Sequence, residues 1–267
     1  MKLLGWMVLA TLGISLRADA PGDRPSPPQS PWSLGLTYQG ADFSGNYYHL
    51  DGVNLTSYDT SGDLGLAPSA KGLGLGLDYE GRRFRLQLST WGQAYAGDRQ
   101  VVQDVTIDGK VYQAGARVQS RISLRSSELD WTIKLFRSQE GYFGLDFGLS
   151  SWSIDLTAQG QGSVAGGPVQ SAFASASGKQ IIPQAGLSAG YRFGPVAELR
   201  GYYHLLSRRG ADYRRAGADL RYFPLPWLGL RLALERERFD LPKGSLDDRT
   251  ALKIDKNGAG FGVIWRF

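Results

Sequence analysis

The chain has 267 residues, with 30 Lys and Arg against 25 Asp and Glu, 36 glycines and no cysteine. Without cysteine there is no disulfide scaffold, and a net charge of +5 is too mild to argue for a nucleic-acid partner. Two widely separated histidines, His49 and His204, and no thiol exclude an ordinary transition-metal cluster and imply no cofactor.

Residues 1–20 read as an export signal. Lys2 supplies the positive start, Leu3 to Ile14 a mostly apolar run, and Ala18-Asp19-Ala20 a cleavage site after Ala20. The run falls short of the roughly 20 apolar residues a spanning helix needs. Residues 21–31 carry Pro21, Pro25, Pro27, Pro28 and Pro31 and read as a stiff spacer.

From Trp32 the apolar side chains recur at every second position, the period of a strand with two unlike faces. Ten strands are expected. The first, Trp32–Gln39, sets Trp32, Leu34, Leu36 and Tyr38 against Ser33, Gly35, Thr37 and Gln39. Lys71–Glu80 sets leucines against Gly72, Gly74, Gly76 and Asp78, and Arg83–Tyr95 sets Phe84, Leu86 and Leu88 against Arg85 and Gln87. In Arg117–Phe136 the apolar phase slips between Leu124 and Leu129, which predicts a bulge. Tyr142–Thr157, Lys179–Phe193, Val196–Leu206, Tyr213–Phe223 and Trp227–Phe239 follow the same rule. The last strand, within Ala251–Phe267, alternates Ala259, Phe261, Val263, Trp265 and Phe267 with Gly260, Gly262, Ile264 and Arg266.

Three features put the apolar face in lipid rather than in a soluble core. Tight links (Gly81-Arg82, Ser138–Gly141, Gly194-Pro195, Pro224–Pro226) alternate with long ones near 40–70, 96–116, 158–178 and 240–252, only the link Ser207–Asp212 being short. Aromatics gather at the tight turns and termini: Trp32, Tyr79, Phe84, Tyr142, Phe143, Tyr191, Phe193, Tyr222, Phe223, Trp227, Trp265 and Phe267. The other face mixes glycine with charge, as a narrow lumen would. The expectation is an all-β chain whose residues 32–267 form a transmembrane antiparallel up-and-down β-barrel of ten strands in the bacterial outer membrane. An even count returns both ends to one side.

The stretch Gly52–Leu66, with Asp63-Leu64-Gly65-Leu66, leads into Gly74–Tyr79, Arg82–Leu88 and Asp104–Ala114. This run resembles the amino-terminal half of a family of small bacterial outer-membrane β-barrel proteins, OmpA-like or porin-like in type. Phe261, Val263, Trp265 and Phe267 also resemble the carboxy-terminal signal read by the barrel-assembly machinery. The resemblance implies fold and location and carries no catalytic residue across.

The inward charges form the richest set: Asp78, Arg85, Asp130, Lys134, Asp146, Glu198, Arg200, Arg215, Asp219, Arg221, Arg231, Glu235 and Arg266. They could line a narrow selective channel or pair into a plug, and ten strands lie near the filled end of the size range. A hydrolase needs a nucleophile beside a base. His204 is near Ser207 in sequence, but on a strand the two point to opposite faces. Nor is there an Asp-x-His pair like that of the omptin proteases, so no catalytic residue is assigned. Asp247-Asp248 reads as a solvated turn rather than a calcium site, and Asp108-Gly109 as a hairpin turn above the membrane. Arg208, Arg209 and Arg214, with Arg215, surround the fourth outer loop and could contact lipopolysaccharide phosphates. The expected function is non-enzymatic: a narrow channel or weak solute binder, or a closed barrel whose loops bind a partner.

Overall fold

A computed structural model describes residues 31–51, 54–100, 105–107, 110–113, 115–163, 167–208, 211–241 and 250–267. The export segment, nearly all of the spacer, Asp108-Gly109, Arg209 and Asp247-Asp248 lie outside these residues, as do the side chains of His49 and Arg208.

Thirteen strands are present: β1 (Trp32–Asp51), β2 (Asn54–Asp59), β3 (Ser69–Glu80), β4 (Phe84–Gln100), β5 (Val105–Ile107), β6 (Lys110–Tyr112), β7 (Arg117–Arg137), β8 (Gly141–Ser163), β9 (Val169–Phe193), β10 (Ala197–Arg208), β11 (Ala211–Leu225), β12 (Leu228–Leu241) and β13 (Thr250–Arg266). Ten of them form one antiparallel ring in the order β1-β3-β4-β7-β8-β9-β10-β11-β12-β13, closed by β13 on β1. This is the transmembrane up-and-down barrel that the alternation predicts. In the closing seam Leu34 faces Trp265, Leu36 faces Val263 and Tyr38 faces Phe261. The Phe267 amide also donates to the Trp32 carbonyl at 3.1 Å, so the chain is bonded to its last residue.

Outward side chains make an apolar band on every ring strand: Leu36, Leu75, Leu88, Trp131, Leu149, Leu187, Leu205, Leu220, Leu232 and Phe261 are all at least 40 % exposed. A continuous band of this kind would aggregate in water and matches the lipid-facing girdle of a membrane barrel. The tight turns include a bond from the Gly81 amide to the Phe84 carbonyl at 2.9 Å and from the Ser138 amide to the Gly141 carbonyl at 2.8 Å. Gly194 takes φ +65° in the third, a conformation that costs glycine little.

Several strands run beyond the apolar band, where the expectation was loop. β1 continues to Asp51, β4 to Gln100, β8 to Ser163, and β9 begins at Val169. β7 shows why its phase seemed to slip. Its pairing with β8 is continuous from Arg117 to Lys134, so there is no bulge between Leu124 and Leu129; the register shifts at Lys134/Phe136 instead. What changes is the environment. In the band Leu129 and Trp131 point out to lipid while Glu128 and Asp130 point in. Above it Arg121 and Arg125 point out to water, while Val118, Ile122 and Leu124 point in and are fully buried. The barrel is inside-out in the membrane and ordinary above it.

The upper lumen therefore holds an apolar cluster, including Phe43, Tyr95, Ile122, Leu124, Trp152, Leu156, Phe239, Leu252 and Ile254. A strap, residues 60–68 between β2 and β3, adds Leu64 and Leu66 to it, at 2 % and 3 % exposure. It is tied at several points. The Phe43 amide donates to the Pro68 carbonyl at 2.7 Å, the Ala67 amide to the Ala96 carbonyl at 3.0 Å, and Arg99 Nη1 to the Ser61 carbonyl at 2.9 Å. The Ser120 hydroxyl donates to the Leu64 carbonyl. The strap crosses β4 at Gly97, where a Cβ would lie 2.0 Å from the Gly65 carbonyl oxygen.

Candidate functional site

The strand period sends every second residue into the lumen, so charges scattered through the sequence meet there in layers. At the tight-turn end Lys134 bonds Glu80, Arg192 lies 3.4 Å from Glu198, and Arg266 Nη2 donates to Glu198 at 2.7 Å. One step deeper, Asp78 bridges Arg85 at 2.8 Å and Arg221 at 3.0 Å, while Asp219 bridges Arg221 at 3.0 Å and Arg231 at 3.1 Å. Asp219 is 2 % exposed.

The middle layer combines Asp146, His204, Asp130 and Arg200. Taking Asp146 as the carboxylate, His204 Nε2 donates to Asp146 Oδ2 at 3.0 Å, and the Ser188 hydroxyl donates to Asp146 Oδ1 at 2.8 Å. Gln184 Nε2 donates to Asp130 Oδ1 at 2.7 Å, and Arg200 Nη1 to Gln87 Oε1 at 2.8 Å. Glycine makes room for the histidine: a Cβ on Gly186 would lie 2.1 Å from the Tyr203 carbonyl oxygen and 2.5 Å from His204 Cδ2.

Above it Arg215 reaches three strands. Its Nη1 donates to Glu128 at 2.5 Å on β7, and its Nε to Glu235 at 2.8 Å on β12. Tyr202 and Tyr213 donate to Glu235 at 2.8 Å and to Glu237 at 3.0 Å. Lys256 closes the layer on Glu237, beneath the apolar cluster.

All thirteen inward charges named from the sequence point into the lumen, most of them paired there. Glu80, Glu128, Arg192, Glu237 and Lys256 do so as well. The first two and Glu237 share the parity of Asp78, Asp130 and Glu235, so the alternation contained the signal; the sequence reading confined the lumen to the apolar stretches. Two expected girdle aromatics turn inward instead. Phe223 is 3 % exposed and stacks under the Arg266 guanidinium at 3.3 Å, and the Tyr142 ring fills the space where a Cβ on Gly190 would stand. At those positions an aromatic covers a lumen cation, which lipid could not do.

Of the outer arginines, Arg215 is buried in the network. Arg214 is exposed and lies 2.9 Å from Asp212. Higher on the outer wall Arg117 forks onto Asp98 at 2.7 and 2.5 Å, and with Gln119 it holds that exposed carboxyl down to about 2.

The chemistry of the dyad is limited by its wiring. In a nucleophilic triad the histidine stands between the hydroxyl and the carboxylate. Here Ser188 and His204 both bond the same carboxylate, so the serine is not activated by the imidazole. His204 Nδ1 is buried and has no hydrogen-bond partner. Among the described residues no group of three or more His, Cys, Asp or Glu is arranged to hold a metal ion.

No protein-family model matches the chain, and no curated protein matches it in sequence. Solved structures do match. The outer-membrane protease OmpT of Escherichia coli superposes with a TM-score of 0.62 at 11 % identity, over 90 % of this chain and 97 % of that one. The translocator domain of the autotransporter NalP of Neisseria meningitidis gives 0.44 at 13 % identity, over 88 % of each chain. The neisserial surface protein NspA gives 0.34 at 10 %, over 89 % and 98 %. The last two scores carry no further argument, and at 11 % identity the likeness to OmpT speaks for the fold alone. The fold of this chain is that of the small outer-membrane β-barrels.

Proposed function

We propose that this protein is a non-enzymatic outer-membrane barrel with a closed lumen, acting through its loop-side surface rather than as a pore. The observation that carries the reading is that the lumen is filled twice over. A paired ionic network occupies the membrane level, and an apolar cluster strapped by residues 60–68 occupies the level above. A ring of this size lies close to the eight-stranded barrels whose side chains fill the interior. In this reading the tight turns face the periplasm, residues 1–20 direct export, and Phe261, Val263, Trp265 and Phe267 engage the assembly machinery. Arg208, Arg209 and Arg214 meet lipopolysaccharide at the loop side.

The test is conductance of the refolded barrel in a planar bilayer. Silence from a demonstrably folded sample is expected, and stable unitary steps would overturn the closed-lumen reading in favour of a narrow channel.

A further inference from the structure

With one exception the inward cations of the lumen each lie in direct contact with a carboxylate. Arg85, Lys134, Arg192, Arg215, Arg221, Arg231, Lys256 and Arg266 each have a carboxylate oxygen within 4 Å. Arg200 has none among the described residues. It is 6 % exposed, its Nη1 bonds the neutral amide of Gln87, its guanidinium lies 5.7 Å from the Tyr202 ring centre, and its Nε has no partner. Burial removes the hydration of a guanidinium, and only an anion or a full set of acceptors compensates for it.

Arg200 also lines a cavity of about 80 Å³ that opens among the tight turns. Tyr142 lines the same cavity, and its hydroxyl is likewise buried without a partner. That space takes about five waters at the usual allowance per water, or one small oxyanion. Arg200 Nε and the Tyr142 hydroxyl are thus donors without acceptors on residues of one cavity, whose wall carries more cations than carboxylates, and a small species rich in oxygen would supply the acceptors.

We propose that the turn-end cavity is a binding site for a free small oxyanion, phosphate or carboxylate in type, held by the Arg200 guanidinium with the Tyr142 hydroxyl as a second donor. A planar guanidinium matches such an anion with paired N–H groups. The cavity opens among the turns and reaches inward to Arg85, Arg200 and Asp219, which favours a dissolved solute over a lipid headgroup. With the turns facing the periplasm, as proposed above, the solute enters from there.

The test is isothermal titration of the mature barrel, refolded in a non-ionic detergent, with inorganic phosphate. One saturable site per chain is expected. Arg200→Gln should weaken it about tenfold or more, the loss of one charge-assisted contact, with Arg200→Lys intermediate and Tyr142→Phe less affected. Phosphate should raise the melting temperature of the native barrel but not that of Arg200→Gln. No saturable heat in the native barrel, or unchanged affinity in Arg200→Gln, would each overturn the proposal. So would displacement of phosphate by short-chain phosphatidylglycerol, which would assign the site to a lipid headgroup. Conductance is read independently, so failure of the closed-lumen reading leaves this result distinguishable.

Discussion

Lys256 on β13 places its ammonium 2.8 Å from Glu237 on β12 and 3.4 Å from the centre of the Trp91 ring, with 1 % of the lysine and none of the glutamate exposed. The two residues are direct cross-strand partners in the register, so the pair is set by backbone hydrogen bonding and held by the ring above it. It marks the boundary where the ionic lumen ends and the apolar cluster begins.

Removing the lysine takes from the fully buried Glu237 its nearest cation and leaves it Tyr213, with Arg215 3.6 Å away. Lys256→Met should therefore cost about 3–5 kcal/mol, the usual effect of breaking a buried ion pair. The double variant Lys256→Met, Glu237→Gln should recover much of that loss. Urea unfolding followed by tryptophan fluorescence reports both, since the lysine covers Trp91. A double variant no more stable than the single one would show that the pair is not the source of the effect.

The His204–Asp146 contact is read as structural. Peptide and ester hydrolysis by refolded His204→Gln should equal that of the native barrel at background level, and Ser188→Ala should behave likewise. A native activity that disappears in His204→Gln would make the protein a hydrolase.

The strap depends on close passage at Gly97. Gly97→Ala puts a methyl group against the Gly65 carbonyl and should loosen residues 60–68 at a cost of about 1–3 kcal/mol, typical of overpacking. Limited proteolysis should then cut within 60–68 faster than in the native barrel. An unchanged digestion pattern would mean that the strap is held by its other bonds.

The apolar band is lipid-facing only where the strands are in the bilayer. Leu232→Arg, within the band, should destabilise the barrel by about 2–4 kcal/mol, whereas Ser123→Arg on the outer wall of β7 should be close to neutral. Folding yields into vesicles measure the contrast, and equal effects at the two sites would misplace the membrane boundary.

The alternation from Trp32 to Phe267 determined the barrel, its ten ring strands and the inward parity of Asp78, Arg200, Asp219 and their fellows, because a period of two is a local property of the chain. It could not say what an inward residue meets. Asp78 and Arg221, far apart in sequence, touch only because the ring closes. Local pattern also misled where the solvent changed: Leu124 and Leu129 face opposite ways on one unbroken strand, the first into a core and the second into lipid. Phe223 and Tyr142 were aromatics beside turns like any other, and only the glycines and cations across the lumen turned them inward. That Arg200 lacks a carboxylate was likewise invisible, since the sequence offers acids enough for it. The tertiary structure decided how they were shared, because in a dry lumen each carboxylate goes to the guanidinium that the register brings within reach.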